Sequence, residues 1–155
     1  MAVQKKINIQ NKKARFEFEI LDKFVAGIQL TGTEIKSIRL SQARITESFC
    51  EFNDRGELFI VNMYIQEYMF GHHFNHKPKS ERRLLLNKRE LRSLRKDVEA
   101  KGNTIVPLRL FLNDRGLAKL EIALAKGKQT HDKRETLKDR DNKRDLARIK
   151  KNFNA

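Results

Sequence analysis

Cysteine, proline and tryptophan are scarce in this chain: its 155 residues include one Cys, two Pro and no Trp. A single cysteine cannot form an internal disulfide, and Cys50, between Phe49 and Phe52, is expected to be a small core residue. Long apolar runs are also missing, since no stretch approaches the ~18 residues of a membrane-spanning helix. Residues 1–13 lack the apolar centre of a signal peptide. We therefore expect a soluble, cytoplasmic protein without a membrane partner.

Acidic residues are the minority among the charged ones. The 34 Lys and Arg outnumber the 20 Asp and Glu, which gives a formal net charge of +14. Such an excess favours a polyanionic partner, and nucleic acid fits better than an anionic membrane. Residues 1–13 carry four Lys and no acid, and residues 126–155 carry 11 basic and five acidic residues. The composition predicts a basic N-terminal arm (1–13), one globular domain (14–125) and a basic C-terminal tail (126–155).

The first forty residues contain one strand pattern and one helix pattern. Residues 16–20 alternate apolar and charged side chains, which is the period-2 pattern of a strand with one buried face. The pattern resumes over 28–30. Thr33 then precedes a short helical pattern over 34–40, so we expect Thr33 to be the N-cap of a helix.

The tetrapeptide Asn-Asp-Arg-Gly occurs twice, at residues 53–56 and 113–116. Its Asn, Asp and Gly suit a tight hairpin turn with Gly in the left-handed conformation. Each turn joins two apolar-rich runs: 46–53 with 57–65, and 105–112 with 117–124. In the run 57–65 we expect every second residue to face the core: Phe59, Val61, Met63 and Ile65.

Between the two hairpins lies a polar, His-rich segment, residues 66–80, which contains Pro78. Loops of this length in compact domains are usually functional or mobile. Residues 84–86 are expected to add a short strand, and Asn87 to cap a helix that ends near Gly102. The face of this helix opposite its apolar stripe carries five cations: Lys88, Arg89, Arg92, Arg95 and Lys96.

The predicted order is strand, short helix, strand, strand, helix, strand, strand. A small antiparallel barrel with a helix between its third and fourth strands is the arrangement of an OB-fold, a scaffold that often binds oligonucleotides. The sequence therefore predicts a mainly β fold with flanking helices, an OB-fold-like antiparallel barrel with a basic tail. A ferredoxin-like or SH3-like arrangement is the alternative.

The C-terminal tail, residues 126–155, has too few large apolar residues to form a core. Leu146, Ile149 and Phe153 nevertheless share one face at helical spacing. Neighbouring opposite charges give weak support to a helix. We expect a segment that is disordered when free and becomes helical on binding RNA.

Residues capable of catalysis or metal binding do not form a recognisable motif. Three histidines lie within residues 72–76, but no Cys pair accompanies them, and neither an H-E-x-x-H nor an H-x-E signature occurs. Residues 125–128, Ala-Lys-Gly-Lys, lack the spacing of a nucleotide-binding P-loop. We expect Lys126 and Lys128 to contact phosphates instead. The sequence predicts no enzyme, no cofactor, no metal site and no small-molecule substrate.

Seven short segments carry a resemblance to a known family: Asn-Lys-Lys-Ala-Arg-Phe at 11–16, Gly-Thr-Glu-Ile-Lys-Ser-Ile-Arg at 32–39, Asn-His-Lys-Pro at 75–78, Arg-Arg-Leu-Leu-Leu at 82–86, Lys-Arg-Glu-Leu at 88–91, Ala-Lys-Gly-Lys at 125–128 and His-Asp-Lys-Arg at 131–134. In this order and over nearly the whole chain, they resemble the SsrA-binding proteins (small protein B), which accompany transfer-messenger RNA (tmRNA) in trans-translation. Lys-Ser-Glu at 79–81 departs from the family, which often has a more basic stretch there.

This resemblance implies an OB-type barrel and a role in ribosome rescue and the tagging of incomplete peptides. In the family, the globular domain grips the tRNA-like domain of tmRNA, and the basic tail probes the empty mRNA channel and decoding centre of a stalled ribosome. The implied partners are tmRNA and the ribosome, with the protein a monomer in the complex. The residues implied to face RNA are Asn11, Lys12, Lys13, Glu34, Lys36, Arg39, His76, Arg82, Arg83, Lys126 and Lys128. Those implied to serve at the decoding centre and in the tail are His131, Asp132, Lys133, Arg134, Lys138, Arg144, Ile149, Lys150 and Lys151.

Two questions stay open at this point. Glu34 either accepts hydrogen bonds from a base or ribose, or pairs with an internal Arg. The function has three alternatives: a general single-stranded-RNA-binding OB-fold protein, a ribosomal structural protein, and a metal nuclease that uses the histidine loop. The first of these would bind unstructured RNA as well as tRNA-like RNA.

Overall fold

The computed structural model describes residues 6–100 and 102–127. These residues form nine strands: β1 (Asn8–Gln10), β2 (Phe18–Ile28), β3 (Ala43–Arg44), β4 (Phe49–Phe52), β5 (Leu58–Val61), β6 (Tyr64–Ile65), β7 (Arg82–Leu85), β8 (Asn103–Leu112) and β9 (Ala118–Gly127). They also form three α-helices and a 3₁₀ turn: α1 (Lys12–Glu17), α2 (Gly32–Arg39), α3 (Lys88–Val98) and the turn His72–Phe74.

Six of the strands close into a barrel. The ring runs from β8 through β4, β5, β7, β2 and β9 back to β8, and each pair is antiparallel. Strand β1 adds to β8 outside this ring, and β3 pairs with β6 in a separate ribbon. The predicted mainly β barrel with flanking helices is confirmed. It has one strand more than the five-stranded OB barrel, because the short strand expected at 84–86 is β7, a full member between β5 and β2.

Two apolar clusters lie on opposite faces of the β8–β9 hairpin. The larger fills the barrel and includes Leu94 of α3, which is 0% exposed. The smaller lies under α1 and joins Ala14 to Val106 and Leu108. Because this hairpin is covered on both faces, residues 105–108 are all buried and do not alternate.

The described part of the expected N-terminal arm belongs to the barrel. Strand β1 pairs with residues 109–111 of β8, and Ile7 is only 4% exposed. The boundary drawn after residue 13 therefore falls inside α1. The strand expected from residue 16 begins only at Phe18, because residues 16 and 17 complete α1.

The expected alternation over residues 57–65 changes at Asn62. The prediction that odd-numbered residues face the core is wrong within β5, where Leu58 and Ile60 are fully buried and Phe59 is partly exposed. It is right beyond Asn62. This residue has φ of +65°, in the left-handed region, so the chain turns there and the opposite set of side chains points inward.

The two Asn-Asp-Arg-Gly turns are confirmed as hairpin turns with the same chemistry. The Asn53 side-chain oxygen accepts hydrogen bonds from the amides of Arg55 (3.0 Å) and Glu57 (2.8 Å). Asn113 does the same for the second turn. The closing Gly56 has φ of +79°, which is the conformation that favours glycine.

Local capping defines where the helices begin. Asn87 caps α3 as predicted, accepting from the Glu90 amide at 2.8 Å. The N-cap of α2 is Thr31, so the prediction of Thr33 is wrong. Thr31 and Glu34 form a capping box, in which each side chain accepts a hydrogen bond from the other residue's amide.

The single cysteine lies in the core, as predicted. Cys50 is in β4 and is 5% exposed, and burial raises the pKa of its thiol. In the described ranges, no helix has the length and apolar character needed to cross a bilayer.

Candidate nucleic-acid interface

Asn11 fixes helix α1 to the barrel. Its side-chain oxygen accepts from the Ala14 amide at 3.2 Å, and its Nδ2 donates to the carbonyls of Pro107 (3.0 Å) and Ile45 (3.4 Å). Asn11 is 3% exposed. These hydrogen bonds position the start of α1, and direct contact between the Asn11 side chain and RNA stays a prediction.

The next two residues, Lys12 and Lys13, project from α1 and are exposed. Lys13 forms an ion pair with Glu47 and a longer one with Glu17, at 3.9 Å. The hydrogen bond and the negative charge of Glu47 raise the pKa of Lys13. Lys12 forms no ion pair with another described residue. Of the two lysines, Lys12 is therefore the one available to a phosphate without exchange of a partner.

Strand β9 brings Lys126 to the same end of the barrel. Lys126 lies opposite Glu19 of β2, and Gly127 lies opposite Phe18, the first residue after α1. The Lys126 side chain is exposed. We call Lys12, Lys13 and Lys126 the α1 cation group.

The other C-terminal predictions fall outside the described residues: Lys128, His131, Asp132, Lys133, Arg134, Lys138, Arg144, Ile149, Lys150 and Lys151.

Glu34 and Arg82 form an ion pair inside the protein, with their side chains 5% and 2% exposed. The Nε of Arg82 donates to Glu34. Its Nη1 donates to the Met63 carbonyl at 2.7 Å, and its Nη2 donates to the carbonyls of Pro78 (3.1 Å) and Lys77 (3.3 Å). One buried guanidinium thus links α2, the end of loop 66–80 and the segment before β6.

This geometry favours the internal alternative for Glu34. Its second oxygen accepts from the Thr31 amide at 2.9 Å, so both carboxylate oxygens have partners within the chain. Both side chains are almost fully buried, which favours a role in positioning α2 and loop 66–80, and contact of Glu34 or Arg82 with RNA stays a prediction. The sequence contained one signal for this arrangement: Thr31 and Glu34 have the spacing of a capping box.

His76 is also engaged on both ring nitrogens. Its Nε2 lies 2.9 Å from the Ile65 carbonyl, which only accepts, so Nε2 carries the proton. Its Nδ1 lies within hydrogen-bond distance of the Thr33 hydroxyl, at 2.9 Å. The ring therefore ties α2 to loop 66–80, and contact of His76 with RNA stays a prediction.

The remaining predicted cations lie on the surface. Lys36 places its Nζ 5.4 Å from the centre of the Tyr68 ring, and Arg39 is exposed in the last turn of α2. Arg83 points away from the core, unlike its neighbour in β7, and pairs with Glu57 at 3.1 Å. RNA contact by these residues and by the α1 cation group stays a prediction.

Loop 66–80 presents large apolar side chains to solvent, and the predicted set of RNA-facing residues does not include them. Met69, Phe70 and Phe74 are 72%, 66% and 91% exposed. Phe70 packs edge-on against Tyr68, with ring centres 5.7 Å apart. We call Tyr68, Met69, Phe70 and Phe74 the apolar loop cluster. Four bulky apolar residues in a polar segment without strand or helix periodicity were the available signal.

The loop holds this cluster on a hydrogen-bonded frame. Asn75 accepts from the Tyr68 amide at 3.0 Å and donates to the Tyr68 carbonyl at 2.7 Å. The Phe74 amide donates to Gly71 at 3.0 Å. A Cβ at Gly71 would lie 2.6 Å from Nδ2 of Asn75, so a larger residue there would displace the Asn75 side chain. Exposed aromatic rings beside cations such as Lys36 are the combination that binds unpaired bases and their phosphates.

Within the described part of the chain, no three His, Cys, Asp or Glu side chains come close enough together to hold a metal ion. His72 and His73 are exposed on the 3₁₀ turn.

Comparison with known proteins gives one consistent family. The family model described as SmpB protein matches residues 8–152. The chain is 68% identical to the SsrA-binding protein of Flavobacterium psychrophilum over 149 residues, which is 96% of this chain and 99% of that protein. It is 51% identical to the SsrA-binding protein of Bacteroides thetaiotaomicron over 146 residues, or 94% of this chain and 97% of that protein.

A solved structure described as "tmRNA-SmpB: a journey to the center of the bacterial ribosome" contains a chain of the same fold. The two chains are 46% identical with a TM-score of 0.67, and the match covers 80% of this chain and 86% of that one. The chain therefore belongs to the SmpB family of SsrA-binding proteins.

Proposed function

We propose that this protein binds the tRNA-like domain of tmRNA and delivers it to stalled ribosomes for trans-translation. The observation that carries this proposal is the 68% identity to an SsrA-binding protein over 96% of the chain. The tmRNA–SmpB structure of the same fold supports the ribosome as second partner. The protein acts by binding RNA rather than by catalysis, and it works in the cytoplasm, where ribosomes translate.

The α1 cation group supplies the electrostatic part of this binding. Lysines that contact phosphates release counterions, so they contribute affinity that depends on salt. Lys13 must exchange Glu47 for a phosphate, whereas Lys12 has no described ion-pair partner to lose. Glu34, Arg82 and Asn11 act through geometry, because they are buried and hold α1, α2 and loop 66–80 in place.

The apolar loop cluster supplies contacts that cations cannot. Phosphates are the same at every nucleotide, so selection of a particular RNA fold requires contact with bases or riboses. The exposed rings of Phe70 and Phe74 are suited to stack on bases that are unpaired in the RNA loops.

The C-terminal tail, residues 126–155, probes the empty mRNA channel. Its 11 basic residues suit a channel lined by RNA phosphates. His131 to Arg134 serve at the decoding centre.

A competition assay tests the choice of RNA. Fluorescence anisotropy follows the full chain bound to the labelled tRNA-like domain of tmRNA, and unlabelled RNAs compete. We expect unstructured RNA of equal length to compete at least ~10-fold less well than the tRNA-like domain. Equal competition would favour the alternative, a general single-stranded-RNA-binding protein.

Two lysine variants test the electrostatic surface in the same assay. Lys12→Gln is expected to lower the slope of log affinity against log salt by about 0.7–0.9, the value for one phosphate contact. Lys23→Gln removes the same charge from an exposed position midway along β2 and should leave the slope unchanged. Identical slopes for the two variants would exclude Lys12 from the interface.

A further inference from the structure

Helix α3 carries a group of cations that the proposed function does not use. All are exposed, and none forms an ion pair with another described residue. We call them the α3 stripe: Lys88, Arg89, Arg92, Arg95 and Lys96. Outside α3, by contrast, Lys13, Arg83 and Arg109 each pair with a glutamate.

Helical periodicity places the α3 stripe on one side of the helix. At about 100° per residue, the five positions span an arc of roughly 120°. The acids of α3, Glu90 and Asp97, lie outside this arc. From residue 88 to 96 the stripe is about 12 Å long. Five like charges so close together repel one another, and a polyanion removes that repulsion.

The stripe is presented by a helix fixed at both ends. Asn87 caps its start, and Leu94 packs in the barrel core with no exposed surface. At its end, Nδ2 of Asn103 donates to the Asp97 carbonyl at 2.9 Å. The backbone that carries the cations is therefore already ordered before a ligand binds.

The C-terminal end of α3 leads to the α1 cation group. Asn103, which holds that end, lies opposite Lys126 in the β8–β9 register. The Lys126 side chain runs along the α3–β8 connection, where a Cβ at Gly102 would lie 3.8 Å from its Cε. An RNA strand that meets Lys126 can therefore continue along α3.

The ligand of this surface is a phosphate backbone rather than a base. The stripe combines five cations with no aromatic side chain, and α3 contains none. Helix α3 thus offers no ring for stacking on a base and no amide side chain that could both donate and accept, whereas Lys and Arg side chains suit phosphate oxygens well.

We propose that the α3 stripe binds the phosphate backbone of the tRNA-like domain of tmRNA, as a continuation of the contact made by Lys126. The identity of this RNA rests on the proposed function. The stripe adds affinity that depends on salt, and it discriminates little between sequences.

Charge-matched double variants of the full chain test this proposal. Arg92→Gln/Lys96→Gln removes two charges from the stripe. Lys23→Gln/Lys119→Gln removes two from the outer face of the β2–β9 pair. A second stripe pair, Lys88→Gln/Arg89→Gln, is measured alongside, so that a folding defect in one pair does not decide the result. Thermal unfolding of each variant identifies such a defect.

The first measurement is anisotropy with the tRNA-like domain at several salt concentrations. We expect each stripe pair to lower the salt slope by about 1.4–1.8, which corresponds to two phosphate contacts. The control pair should stay within about 0.3 of the wild type. Stripe variants that behave like the control pair overturn the proposal.

The second measurement is co-sedimentation with vacant small ribosomal subunits. A loss by the stripe variants confined to this assay would assign the stripe to ribosomal RNA and overturn the proposal as stated. Loss of binding to an acidic protein, with both RNA assays unchanged, would overturn it as well. Failure of the proposed function is distinguishable, because the wild-type chain itself would then not prefer the tRNA-like domain.

Discussion

The ion pair between Glu34 and Arg82 differs energetically from the pairs on the surface. Exposed pairs contribute little, because water and salt already stabilise each charge. A buried pair has lost that solvation, so each partner depends on the other and on nearby hydrogen bonds. Arg82 has three carbonyl acceptors besides Glu34, and both residues join segments far apart in sequence. The main role of these two residues is therefore to hold α2 and loop 66–80 together.

The variant Glu34→Ala should therefore destabilise the fold by about 3–5 kcal/mol, because it leaves the Arg82 charge buried without its partner. The matched control is Glu57→Ala, whose pair with Arg83 is partly exposed and should contribute less than ~1 kcal/mol. Urea unfolding followed by circular dichroism measures both. If Glu34→Ala kept wild-type stability but lost RNA binding, this expectation would be wrong. Glu34 would then be assigned to the RNA-binding surface.

The sequence predicts the surroundings of some site residues and not of others. The exposure of Lys12 and Lys36 follows from their charge, and the Asn87 cap follows from local chemistry. The burial of Arg82 does not follow from its residue type. It depends on which face of β7 points inward, and the pairing of β7 with β5 and β2 decides that face. The motif therefore marked candidate segments but did not show which of their side chains reach the surface.

Among the helices, strands and turns, a segment was predictable when contacts between neighbouring residues determine its conformation. It was not predictable when contacts with distant residues determine it. The two hairpin turns depend on Asn and Gly within four residues, and both were identified. Helix α1 depends on Asn11 reaching carbonyls in β8 and near β3, so the alternation over 16–20 suggested a strand there. The switch at Asn62 likewise lies in a backbone conformation that residue type does not reveal.

Loop 66–80 illustrates an element whose order depends on one side chain. Asn75→Ala removes both hydrogen bonds to Tyr68, each worth about 1 kcal/mol. We expect the Tyr68 and Phe74 amides to exchange at least ~10-fold faster, while the barrel amides keep their protection. Phe74→Ala, which removes a ring that is 91% exposed, should leave this exchange unchanged. Hydrogen exchange by NMR measures both, and equal rates in Asn75→Ala and wild type would mean that the loop is held by other contacts.

On the scale of the whole molecule, the closed barrel and the C-terminal segment have separate physical bases. The six-stranded ring and its core lie within the described residues, and β9 ends at Gly127 beside α1. The segment that follows is charged throughout and poor in large apolar residues. We therefore propose that the barrel determines which RNA is bound and that the tail determines where on the ribosome it acts.

Deletion of residues 129–155 tests this division and leaves Lys128 in place. The unfolding midpoint should not change, because the described core ends at Gly127. Affinity for the tRNA-like domain should fall by less than ~5-fold, since the deleted charges contribute only a non-specific, salt-dependent part. Tagging of incomplete peptides on stalled ribosomes in a reconstituted translation system should be abolished. If RNA affinity and tagging were instead lost in parallel, the tail would be part of the tmRNA grip, because loss of binding alone would then account for the loss of tagging.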